Sequence, residues 1–150
     1  PGGDWRARYN DKLQAYADHY PTLELNRTFY KLPMLKTAEK WRLGVPPDFD
    51  FAVKAWQAIT HPTSSVTWRK RSDQLSDEQM EGFGSFRPND VTVDAWSRVM
   101  DVAEVLEASV CLVQAPATFG PTEENERRPA RCAGGVGTAG RVERESGSGG

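Results

Sequence analysis

Three short apolar runs that read as strands, each parted from the next by a stretch of helical period, restrict this chain to a parallel α/β architecture. In residues 22–30, Leu23 and Leu25 alternate with Glu24 and Asn26. In residues 49–56, Phe49, Phe51 and Val53 alternate with Asp50, Ala52 and Lys54. Both follow the two-residue period of a half-buried strand. The third run, 109–115, is almost continuously apolar, which predicts a strand buried on both faces. Helical segments occupy the intervals. Upstream, Asp4 is placed to cap a helix carrying Trp5, Tyr9, Leu13, Tyr16 and Tyr20, with Pro21 ending it. Residues 36–43 carry Ala38 and Trp41 and stop at Gly44 and the Pro46-Pro47 pair. Val93, Trp96, Val99, Met100, Ala103 and Leu106 mark the strongest amphipathic helix. Residues 61–90 read as an elaborated loop in which Ser76 and Gln79 form a capping box.

Composition narrows the function classes. A length of 150 residues fits one domain or part of a larger one. Nineteen Lys and Arg against twenty-one Asp and Glu leave a formal charge of −2, so no global field draws the chain to nucleic acid or an acidic membrane. No run of about eighteen apolar residues is present to span a bilayer. Cys111 and Cys132 make neither a disulfide framework nor a zinc cluster, and no secretory segment opens the chain, so a cytoplasmic location is expected. His19 and His61 lie far apart, which predicts no metal site, and Gly82-Phe83-Gly84 is no phosphate or dinucleotide motif, so no cofactor is expected.

The averages hide a break. Residues 1–126 carry fourteen basic and nineteen acidic side chains, whereas 127–150 carry five Arg and two Glu, with seven of the thirteen glycines and no aromatic residue, Leu, Ile or Lys. A domain over 1–128 is therefore expected, followed by a disordered Arg/Gly/Ala-rich tail over 129–150, read as an out-of-frame or artificial continuation. The chain also begins without Met, almost inside a helical pattern, and a preceding segment is expected.

TLELNRTFYKLP, then FAVKAWQAITHP, then VCLVQAPATFGPTEEN resemble, in order and approximate spacing, the second, third and fourth strand segments of the YecE-like family, also called domain of unknown function 72. The resemblance covers residues 4–128. It implies a (β/α)8 barrel of the TIM type, of which this chain supplies about three consecutive strand-helix units, since a whole barrel takes about 250 residues. The opening strand and the four later units of the family pattern are absent.

Independently of the family, polar residues gather toward the strands' C-terminal ends, where parallel α/β folds place their ligands. Strand parity puts Glu24, Asn26, Lys54 and Gln114 on one sheet face, with Thr28, Tyr30, Thr60 and His61 just beyond. Glu24 suits a proton-transfer base. Lys54 suits an anion contact or an amine nucleophile, and His61 a general acid or base. Asn26, Thr28, Tyr30 and Gln114 are assigned to binding a small polar substrate. The competing readings are a buried Glu24–Lys54 ion pair that holds sheet register, and a loop-packing His61. Trp68-Arg69-Lys70-Arg71 could bring a stacking ring and cations to nucleic acid, but one short basic cluster in an acidic body reads as a solvated loop. An enzyme or small-molecule binder leads. A noncatalytic module using loop 61–90 against a protein or nucleic acid, and an inactive truncated fragment, are the alternatives. Reaction and oligomeric state are not legible.

Overall fold

A computed structural model describes residues 11–70, 75–132 and 141–144, with no side-chain description for residues 70, 132 and 141–144. In chain order the elements are α1 (Lys12–Ala17), β1 (Thr22–Leu25), α2 (Arg27–Tyr30), α3 (Leu35–Leu43), β2 (Asp50–Lys54), α4 (Gln57–Thr60), a 3-10 turn (Val66–Lys70), α5 (Asp77–Met80), α6 (Asp90–Val105), β3 (Val110–Ala115), α7 (Glu123–Cys132) and β4 (Arg141–Arg144). The strands pair in parallel, in the order β1-β2-β3-β4. Each strand therefore lies beside its neighbour in sequence, with helices as the crossovers.

One sheet face makes the core. Phe51, Val53, Cys111, Val113 and Ala115 are buried together with Ala38 of α3 and Trp96, Val99, Val102 and Ala103 of α6. The other face is open. Ala52, Lys54, Val110, Leu112 and Gln114 are half-buried and Glu24 is exposed. β3 consequently alternates instead of being buried on both sides as its composition predicts. Its apolar outer residues, Val110 and Leu112, face a surface that no layer covers among the described residues.

The caps explain several boundaries. Asp11 Oδ1 accepts from the Leu13 and Gln14 amides at 2.8 and 3.0 Å, so the described α1 starts there; Asp4, Trp5 and Tyr9 lie outside the described residues. Ser76 and Gln79 form the expected capping box at α5. Asn89 caps α6, whose buried stripe runs through Thr92, Ala95, Trp96, Val99, Val102, Ala103 and Leu106. The expected face is thus rotated: Val93 is 47% exposed, and Thr92 takes the inner position because its amide bonds Asn89 Oδ1 at 2.8 Å and its hydroxyl reaches Gly82 O at 3.4 Å. α6 ends with Glu107 at φ 52, where the Ala108 amide donates to Ala103 O and the Glu107 amide to Glu104 O, both at 2.9 Å. That is a Schellman closure with a non-glycine residue in the left-handed position.

Two segments depart from the sequence expectation more strongly. The run 22–30 stops being a strand at Leu25, because residues 27–30 wind into the single turn α2. After 128 the chain continues α7 to Cys132, and 141–144 pair beside β3, with Gln114 opposite Glu143. Composition predicts disorder across both. Backbone groups at an open sheet edge accept almost any sequence, so pairing there does not need apolar side chains. The other tail residues lie outside the described ones.

Cys111 sits inside the core face, and burial pushes its thiol up from 9.0 to about 11. Because the raised value favours the protonated form in the folded chain, its contribution to stability is complete below pH 9 and is lost as pH rises toward 11. Labelling by an alkylating reagent at pH 8 is expected to run about a hundredfold slower in the folded than in the urea-unfolded chain. Equal rates in the two states would place the thiol at the surface.

Candidate functional site

The open sheet face carries the polar residues that the sequence singles out. Glu24 pairs with Ala52 and Lys54 with Leu112, and partners across a parallel ladder share a face, so Glu24, Lys54 and Gln114 project to the same side. Lys54 ends β2. Its ammonium lies 3.4 Å from Asn26 Oδ1 and 5.4 Å from the centre of the Phe29 ring. The amide oxygen and the ring face both favour a cation there. No carboxylate forms an ion pair with it among the described residues, and Glu24 remains exposed. The buried Glu24–Lys54 pair is therefore not what holds the register.

Thr28 has a different position from the one expected. It is 1% exposed, and its hydroxyl lies 2.6 Å from Leu25 O and 2.7 Å from Lys54 O, while the Lys54 amide donates back to it at 3.0 Å. A hydroxyl in a helical turn commonly bonds back to a carbonyl three residues earlier, and here the same oxygen also ties α2 to the end of β2. Thr28 is a brace that sets where Lys54 stands, with its hydrogen-bonding capacity spent inside the protein. Tyr30 is half-buried beside Phe29, the two rings meeting edge to face at 5.0 Å.

His61 is also drawn inward. It is 2% exposed, its Nδ1 lies 2.7 Å from Thr60 Oγ1, and its ring meets Phe29 edge to face at 4.9 Å. Its carbonyl accepts from Trp68 Nε1 at 3.2 Å. The loop-packing reading is the one its geometry matches. The cause lies in residues 82–86, which fold back over α4: Gly84, Ser85 and Phe86 donate their amides to the carbonyls of Ala58, Thr60 and Ile59. Trp68 itself is 6% exposed and stacks on Phe83 at 5.7 Å, so its ring face is not presented for stacking on a base.

Two residues that pattern reading passed over have defined positions. Gln57 begins α4 directly after the end of β2, fully buried, with neither amide atom bonded among the described residues. The only signal for it is a polar residue placed immediately past a strand's C-terminal end. Arg42, in the last turn of α3, supports the opposite end of the sheet. It donates to Phe49 O at 2.8 Å and to Pro46 O, reaches Leu106 O at 3.5 Å, and lies 5.3 Å from the centre of the Phe51 ring.

Chemically, among the residues whose side chains are described, the open face offers the Lys54 cation, the exposed Glu24 carboxylate and the Asn26 and Gln114 amides toward the strands' C-terminal ends. Among the described residues no group of three or more His, Cys, Asp or Glu could hold a metal ion, and no helix is long and apolar enough to cross a membrane.

Comparison with known proteins agrees with the motif resemblance. A family model described as "Protein of unknown function DUF72" matches residues 4–133. The chain is 36% identical over 65 residues to the UPF0759 protein YunF of Bacillus subtilis (strain 168), covering 43% of this chain and 23% of that protein. It is also similar to two crystal structures of a DUF72 family protein from Enterococcus faecalis V583. One superposes with a TM-score of 0.59 at 21% identity, covering 89% of this chain and 47% of that one. The other gives 0.53 at 24% identity, covering 81% and 38%. These likenesses carry the fold alone, and the chain spans less than half the length of each of these relatives.

Proposed function

Since the chain belongs to the DUF72 family, we propose that it is a consecutive section of a TIM-type barrel that binds a small polar ligand at the C-terminal ends of its strands. The observation carrying this reading is Lys54: a cation at the end of β2, on the uncovered sheet face, held by an amide oxygen and an aromatic ring and matched by no carboxylate among the described residues. Such a group has the geometry to receive an anionic or carbonyl oxygen. Exposed Glu24 beside it has the chemistry of a proton acceptor, and Asn26 and Gln114 that of orienting amides. The fold leaves the reaction open, because one barrel architecture hosts many chemistries. A cytoplasmic location fits the cysteine usage.

Sequential strand order with helices on one face supports the barrel reading. An open doubly wound sheet reverses direction at a switch point and places helices on both faces.

The test is Lys54→Met in the whole protein, with binding of a panel of small carboxylates and phosphates followed by thermal shift. Met retains the aliphatic stem and removes the charge. The expected outcome is a ligand-induced rise in melting temperature for the native protein that Lys54→Met abolishes, with the ligand-free melting temperature little changed. An undiminished ligand shift in Lys54→Met would refute the site.

A further inference from the structure

On the helix side of the sheet, away from the open polar face, the end of β1 and the first turns of α3 enclose a cleft of about 320 Å³. Leu25, Leu32 and Trp41 form its apolar wall, Met34 lines it with 74% of its surface exposed, and Arg27 and Lys31 bring two cations to the lining, beside Thr28 and Thr37. Leu25 is paired with Val53, whose side chain lies in the covered core, which places the cleft behind the sheet relative to Lys54.

Its chemistry is asymmetric. Arg27 and Lys31 are four residues apart, both exposed, and neither forms an ion pair among the described residues. Like charges at that spacing repel, and an anion held between them turns the repulsion into attraction. Apart from Thr28 and Thr37 the remaining wall is hydrocarbon and indole, which gains from covering an apolar body and offers little to a bare inorganic ion. Of the two threonines in the lining, Thr28 has already spent its hydroxyl on Leu25 O and Lys54 O. The volume lies at the small end of the range for organic-ligand sites.

We propose that this cleft is a second binding site, taking a small amphipathic acid whose carboxylate sits between Arg27 and Lys31 and whose aromatic or branched apolar body lies against Leu25, Leu32 and Trp41. The site is independent of Lys54 and stands whether or not the open face binds a ligand.

Calorimetric titration of the whole 150-residue chain with phenylacetate tests it, beside phenylacetamide, which keeps the ring and loses the charge, and acetate, which keeps the charge and loses the ring. Phenylacetate is expected to bind in the cleft, with affinity lower by about tenfold or more for each of the other two. The double variant Arg27→Gln/Lys31→Gln is expected to lose the same factor while melting at the native temperature, since both side chains are exposed. Lys40→Gln, which removes an exposed cation outside the cleft's lining, is expected to bind phenylacetate as the native chain does. Absence of phenylacetate binding, equal binding of acid and amide, or a loss caused by Lys40→Gln and not by the double variant would each overturn the proposal. The comparison of acid with amide needs no variant, so a folding defect in the double variant leaves the test intact.

Discussion

Replacing Gly84 with Ala is expected to cost about 4 kcal/mol of stability, enough to unfold a typical domain at moderate denaturant. Gly84 has φ +83, and a Cβ there would lie 2.3 Å from the His61 carbonyl oxygen, 2.4 Å from its carbon and 2.6 Å from Pro62 N. All three are backbone atoms and cannot swing aside. Relief requires the loop to lift, and lifting breaks the amide bonds from Gly84 to Ala58 O at 2.7 Å, from Phe86 to Ile59 O at 2.9 Å and from Ser85 to Thr60 O at 3.1 Å. It also uncovers the aromatic layer of Trp68, Phe83 and Phe86, all buried. The next two residues already occupy left-handed backbone, Ser85 at φ 56 and Phe86 at φ 50. A bulky side chain in that region is costly, so the packing of Phe86 against Phe119 at 5.0 Å must hold it there. Urea denaturation of the two proteins measures the difference, and a loss below about 1 kcal/mol would mean that the loop does not close over α4 as described.

Arg42→Met is expected to destabilise the chain by about 3 kcal/mol, because the substitution keeps hydrocarbon volume but removes a charged donor serving several carbonyls at once. The guanidinium side chain is 12% exposed, and its bonds to Pro46 O and Phe49 O tie the end of α3 to the loop entering β2. Its longer reach to Leu106 O adds the end of α6. Arg42→Lys is expected to recover only part of the loss, since one ammonium cannot span a planar fork. Glu107 is a useful contrast. It is 71% exposed at 3.9 Å from Arg42, and an exposed pair of that kind contributes little, so Glu107→Gln is expected to be nearly silent in the same thermal melts. A large effect of Glu107→Gln with a small one of Arg42→Met would show that the ion pair, and not the carbonyl cluster, fastens this end of the sheet.

What could be read beforehand was whatever a repeat of two or of about three and a half residues records over a sufficient span. The alternation in 22–25 and 50–54 placed Glu24 and Lys54 on one face, and the paired register puts them there. Helix α6 was legible in length, but Val93 and Thr92 exchange places because a hydrogen bond to Gly82 decides which side turns inward, and hydropathy does not register that bond. α2 and α4 were missed for another reason. Each is four residues long, one turn at a strand's exit, too short for any period to show. Those two turns carry Thr28 and Thr60 and lead into His61, so the same omission made braces and core residues look like ligands. Arg42 was invisible because a basic residue in a helix's last turn ordinarily signals only the helix dipole.

The sequential order of the strands bears on how such a chain is made. β2 pairs with β1 and β3 with β2, each with the strand synthesised just before it, and the intervening helix is already present to cover the new joint. Assembly can therefore advance in step with the emerging polypeptide, each unit templating the next, without waiting for a distant terminus to return. A sheet built this way always has a growing edge, ready to receive the next backbone that arrives, and that readiness is met here by the parallel docking of residues 141–144 along β3.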